Sequence, residues 1–189
     1  LYVDYKIKVT DILTNYTSID EIHSYSIDES FLDVTESLNF FYPEIKNRYE
    51  QMNLIALDLQ REILNKLGLY VTVGMGDNPL LAKLAMDNYA KHNQNMRAVI
   101  RYEDVPSKLW TLPKMTDFWG IGRRTEKRLN KLGIISIKEL ANADPLLLKQ
   151  KLGTIGLQHF FHANGIDESN VREKYVPKST SFSNSQILP

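Results

Sequence analysis

The sequence predicts an α+β protein, with helices packed on one face of a small antiparallel sheet and a short all-helical unit after it. Three observations carry this. Over the first hundred residues, apolar side chains recur alternately at helical and at strand spacing. After Asp104 short helical stretches follow, broken by Pro113, Gly120, Gly122, Gly133, Pro145, Gly153, Gly156 and Gly165. With 189 residues, 43% hydrophobic and 24% charged, the chain can bury a core and is not polar enough for wholesale disorder.

The elements follow in order. Tyr2, Tyr5, Val9, Ile12 and Tyr16 fall three and four apart, the stripe of a helix. Ile22 to Asp33 is aromatic and β-branched and reads as two strands meeting near Asp28–Ser30. Met52, Ile55, Leu59, Ile63 and Leu67 trace one helical face from Arg48 onward, with Gly68 as its C-cap. Tyr70–Gly74 reads as a buried strand, and Arg97–Arg101 as another. Between them a helix is predicted from Asn78, its N-cap, to about Ala90, with Pro79 in the first position. A boundary falls near residues 102–106, dividing a mixed unit (1–104) from a helical one (105–170). Residues 171–189, rich in Ser, Asn, Pro and Lys toward the end, read as a linker.

Composition excludes several chemistries. Without cysteine there is no disulfide framework, no thiolate zinc site and no thiol nucleophile. No apolar run reaches the roughly 20 residues that span a bilayer, so a cytoplasmic protein with no membrane partner is expected. The formal net charge is zero, yet residues 1–60 hold eleven acids against four bases. Between Gly120 and Lys138 six bases face one acid, Glu126. This asymmetry suits a protein that binds metal at one end and a polyanion at the other; two solvated faces are the plainer alternative.

Two stretches carry the chemistry. Asp28 and Glu29 are adjacent carboxylates among strand-favouring residues. Desolvating like charges is costly, and a divalent cation removes the repulsion. On spacing alone an exposed acidic turn is the plainer reading. Downstream, Gly120 and Gly122 precede a helix start, where tight backbone turns and unpaired N–H groups suit a phosphate oxygen. Arg123, Arg124 and Lys127 add charge there, and a plain helical hairpin is the alternative. Gly74-Met75-Gly76 lacks the third glycine of a dinucleotide loop, and His159 and His162 read as ordinary helix residues.

Three long blocks carry a resemblance. Y-S-I-D-E-S-F-L-D-V-T (Tyr25–Thr35) resembles the palm signature of Y-family, translesion DNA polymerases. V-T-V-G-M-G-D-N-P-L-L-A-K-L-A (Val71–Ala85) is similar to the strand and helix that follow in that palm. D-F-W-G-I-G-R-R-T-E-K-R-L-N-K-L-G-I (Asp117–Ile134) resembles the helix-hairpin-helix of the family's thumb. The blocks stand in the family's order, and the subgroup they resemble most is the UmuC/ImpB/MucB/SamB type of the bacterial SOS response.

The resemblance implies a ferredoxin-like palm over 1–104, a thumb over 105–170 and a connection toward a little finger beyond. It implies DNA-directed DNA synthesis across damaged templates, with primer–template DNA and deoxynucleoside triphosphates as ligands. Asp28 and Glu29 match the second and third catalytic carboxylates, which hold two Mg²⁺ ions in the intact parent. Lys91, in N-Y-A-K-H-N (Asn88–Asn93), matches the lysine on the incoming triphosphate; a helix-end lysine facing the macrodipole is its plainer reading. Gly120, Gly122, Arg123, Arg124 and Lys127 match the DNA-binding hairpin. A sliding clamp and a recombinase are expected partners of the parent. The family's first metal-binding aspartate, steric gate and fingers precede the matched region, and the little finger follows it. The sequence is therefore expected to be a fragment, inactive in isolation. A non-catalytic DNA-binding or scaffolding protein that kept a palm shell is the rival reading.

Overall fold

The computed structural model describes residues 1–173, 181 and 183. Most of the segment expected to be a linker thus lies outside the described residues. The chain opens with α1 (Tyr2–Leu13), whose last turn buries Ile12 and Leu13. Strands β1 (Ile22–Ser24) and β2 (Ser30–Leu32) form an antiparallel hairpin with Ile22 opposite Leu32. A one-turn helix, α2 (Leu38–Phe41), precedes the long α3 (Arg48–Leu67). The Asn47 side chain caps α3 by accepting from the Tyr49 and Glu50 N–H groups. Gly68 ends it at φ 69°, a left-handed conformation that glycine adopts without strain.

Then come β3 (Val73–Gly76), α4 (Pro79–Asn88) and β4 (Arg97–Ile100). The Asn78 side chain accepts from the Leu81 N–H, and Pro79 takes the first helical position. Beyond Asp104, among the described residues, lie short helical turns and four further α-helices, α5 (Arg123–Asn130), α6 (Ile137–Ala141), α7 (Pro145–Leu152) and α8 (Thr154–Ala163).

The α+β class holds, and three details differ from expectation. The third strand begins at Val73 rather than Tyr70, because β4 offers partners only from Arg97 onward. The strands β3 and β4 pair in parallel, Val73 with Arg97 through Gly76 with Ile100, and stand apart from the β1–β2 pair. The helix α4 lies between them in sequence and returns the chain to the same end, so the two strands must run the same way. Finally, helices cover both faces of this pair rather than one. Val73, Met75 and Val99 pack into a core with Ile55, Leu59 and Ile63 of α3. The alternate positions, Ala98 and Ile100, join a second core with Leu80, Leu81, Leu84 and Ala85 of α4. That second core continues through Val105, Leu109, Phe118, Leu129, Ile137 and Leu148 into the helical half.

The glycines of β3 explain how closely α4 sits. A Cβ on Gly74 would lie 2.1 Å from the Ala82 carbonyl oxygen, and one on Gly76 2.6 Å from the Ala82 nitrogen. Gly74 and Gly76 thus serve helix–strand packing.

Candidate active site

The turn between β1 and β2 carries the acidic pair. The Tyr25 and Ser26 N–H groups both donate to the Glu29 carbonyl, at 3.1 and 3.2 Å, and close the turn. The Ser26 hydroxyl donates to Asp28 Oδ1 at 2.6 Å and accepts from the Glu29 N–H at 3.1 Å. That hydroxyl is the main reason the exposed Asp28 carboxyl is held below its usual range, with Lys6 and Lys83 assisting.

The two acids part company. Asp28 borders a cleft of about 900 Å³ together with Lys6, Ser30 and Asp77. Glu29 turns toward α4, where Lys83 Nζ donates to Glu29 Oε1 at 2.7 Å and Oε2 at 2.8 Å. Lys83 is 9% exposed and lies 5.8 Å from the centre of the Tyr25 ring. Burial alone would lower its pKa, but bonds to Glu29 and Asp87 outweigh that and hold it above the usual lysine value. A second lysine, Lys6 of α1, donates to the Glu29 carbonyl at 3.0 Å and to Ser30 Oγ at 2.7 Å.

Lys91 stands just past α4, half exposed, with Nζ 2.6 Å from Asp87 Oδ1. Asp87 in turn lies 3.2 Å from Lys83 through Oδ2. Glu29, Lys83, Asp87 and Lys91 therefore form one alternating line of charge. Sequence reading picked out the ends of this line and missed its middle. The signal was present, because Lys83, Asp87 and Lys91 are spaced four apart in sequence, the spacing at which side chains meet on a helix.

The basic hairpin adjoins the same region. Gly120 adopts φ 89°, and Gly122 is the N-cap of α5. Arg123, Arg124 and Lys127 project from the first turns of α5 and are exposed. Trp119, just before these glycines, meets Tyr25 at 5.8 Å and Phe31 at 6.0 Å between ring centres. Tyr25 and Phe31 are themselves 5.7 Å apart. An aromatic trio thus ties the acidic turn to the glycine loop.

As for a metal, the described residues hold no cluster of three or more His, Cys, Asp or Glu side chains placed to bind one. The open Asp28 carboxylate fits a hard cation that takes one or two protein oxygens and completes its shell from substrate phosphates and water, and Glu29 joins it only if Lys83 lets go. They do not form a cage by themselves.

Known proteins resemble this chain along most of its length. Residues 1–87 match the impB/mucB/samB family, and residues 102–134 match the IMS family HHH motif. DNA polymerase IV 2 of Bacillus subtilis (strain 168) is 37% identical over 189 residues, covering 100% of this chain and 43% of that protein. The DNA repair protein homolog YobH of the same organism is 42% identical over 134 residues, 71% of this chain and 62% of that protein. Among solved structures, the Y-family DNA polymerase chimera Dbh-Dpo4(243-245)-Dbh superposes with a TM-score of 0.75 at 29% identity, covering 93% of this chain and 47% of that one. DinB from Sulfolobus solfataricus gives a TM-score of 0.68 at 29% identity, covering 87% and 44%. The chain spans less than half the length of the polymerases it matches. With these two matches standing in order along the chain, over residues 1–87 and 102–134, and with relatives alike over its whole length, the chain carries the impB/mucB/samB family's domain and its HHH motif.

Proposed function

We propose that this chain is the palm and thumb portion of a translesion DNA polymerase, residues 1–104 forming the first and 105–170 the second. One observation carries the reading: the aromatic trio brings the Asp28–Glu29 turn against the Gly120–Gly122 loop, so a carboxylate site and a phosphate-binding helix start share one region. In the whole protein a primer 3′ hydroxyl attacks the α-phosphate of a deoxynucleoside triphosphate, and pyrophosphate leaves. Asp28 and Glu29 would hold Mg²⁺, which when bound acidifies the attacking hydroxyl and neutralises charge at phosphorus.

The chain's own residues supply the rest. Lys91, half exposed, meets the triphosphate. The α5 N-terminus with Arg123, Arg124 and Lys127 grips backbone phosphates without reading sequence, as an enzyme that moves over any template requires. The relatives' names support DNA synthesis and repair as the setting.

The capture of both Glu29 oxygens by Lys83 favours a second reading, a DNA-binding protein that does no chemistry. Primer extension separates the two. In the full-length protein, Asp28→Ala with Glu29→Ala is expected to abolish templated synthesis and to leave DNA binding in place. Undiminished synthesis would overturn the assignment. The isolated chain is expected to extend no primer.

A further inference from the structure

Asp87 belongs to neither predicted ligand set, yet it touches Lys91 directly and reaches Glu29 through Lys83. Its Oδ1 lies 2.6 Å from Lys91 Nζ and its Oδ2 lies 3.2 Å from Lys83 Nζ. Lys83 in turn spends its remaining donors on both oxygens of Glu29. From this geometry we propose that Asp87 is a positioning residue that couples phosphate binding at Lys91 to the availability of Glu29. The inference rests on reading Lys91 as a phosphate ligand and Glu29 as a metal ligand.

The physical argument is competition for two ammonium groups. Lys83 is 9% exposed and cannot exchange partners with bulk water readily. Its hold is divided between Glu29 on one side and Asp87 on the other. Asp87 is divided too, between buried Lys83 and half-exposed Lys91. A polyphosphate arriving at Lys91 carries more negative charge than one carboxylate and displaces Asp87 from it. Asp87 is then left to Lys83 alone, and a lysine drawn toward Asp87 relaxes its grip on Glu29. The line of charge moves by one partner, and no backbone change is needed. Without phosphate, Lys83 masks the carboxylate; with phosphate, Glu29 is released to a cation. The order of events follows from the wiring: nucleotide charge first, carboxylate second.

Binding measurements on this chain test the idea without any DNA synthesis, so they stand or fall separately from the primer-extension result. The probes are inorganic triphosphate in EDTA, and Mn²⁺ followed by its electron paramagnetic resonance. Asp87→Asn keeps the shape and removes the charge. Lys91 then has no internal competitor, and triphosphate is expected to bind about fivefold more tightly, the scale of one exposed ion pair released. Lys83 turns wholly to Glu29, and Mn²⁺ is expected to bind several-fold more weakly. The tightening should vanish in Asp87→Asn with Lys91→Met, measured against Lys91→Met. In the unsubstituted chain, metal-free triphosphate should shift the Glu29 carboxyl carbon resonance, and should not do so in Lys91→Met. Triphosphate binding that depends on Lys91 but ignores Asp87→Asn would overturn the coupling alone. Binding indifferent to Lys91→Met would overturn the phosphate reading of Lys91 and the coupling with it.

Discussion

Replacing Gly74 by alanine tests how the helix bearing Lys83 and Asp87 is seated. The added methyl would stand 2.1 Å from the Ala82 carbonyl oxygen, 2.4 Å from the Met86 nitrogen and 2.6 Å from the Met86 Cβ. Two of these neighbours are backbone atoms, so no rotamer change relieves the clash. To restore ordinary contact, β3 and α4 must separate by roughly an ångström, which opens the packing around Leu81, Leu84 and Ala85, each at most 1% exposed. Overpacking of this kind costs about 1–3 kcal/mol, and the rigidity of the obstacle places Gly74→Ala at about 3 kcal/mol. Urea unfolding followed by circular dichroism reads the loss as a lower midpoint at unchanged slope. The same displacement would carry Lys83 away from Glu29, now 2.7 Å distant, and lengthen that bond past hydrogen-bonding reach. A loss below 1 kcal/mol would refute the view that the bare backbone of β3 is what α4 rests on.

Other substitutions probe separate parts of the molecule. Asn78→Ala removes the cap of α4 and a 2.8 Å bond to the Gly165 carbonyl, and should cost about 1–2 kcal/mol in urea unfolding. Arg123→Ala and Lys127→Ala should each weaken DNA binding alike for all sequences and flatten the salt dependence by about one ion, read by fluorescence anisotropy across a salt series. Sequence-dependent losses would count against backbone contact. Tyr42 donates to Asp58, and this bond, with burial, pushes its phenol from 10.0 to about 12. The unfolded phenol therefore ionises first, so stability is intact below pH 10 and falls as pH rises toward about 12. Tyr42→Phe should flatten that alkaline decline; an unchanged slope would show that the decline comes from other groups.

Much of the fold was legible because the signals were local. The α3 stripe of Met52, Ile55, Leu59 and Ile63 is all buried, and Gly68 ends the helix as its position predicts. Asn78 and Pro79 start α4 as their chemistry requires. What escaped were relations between distant segments. Gly74 and Gly76 have no side chain to mark a buried face, so alternation along β3 was invisible and helices were expected on one face of the sheet, where α3 and α4 in fact cover both. The four-residue α2 is too short to show a period. In the site, Asp28 and Glu29 were found as a pair, yet Glu29 is drawn from the cleft to a lysine 54 positions away. No neighbouring residue announces that partner. The middle of the charge line was different: its spacing of four was readable, and only its purpose was not.

The trio at the junction also makes the protein its own optical gauge. Trp119 is one of only two tryptophans, and its indole lies against Tyr25 and Phe31. The other, Trp110, donates its indole N–H to the Ala163 carbonyl at 2.9 Å, away from the acidic turn. In a Trp110→Phe background, emission comes from the indole that bridges the two halves alone. Any ligand that pries the glycine loop from the turn would redden that emission, so parting of the halves can be timed in a stopped-flow cell without an attached dye.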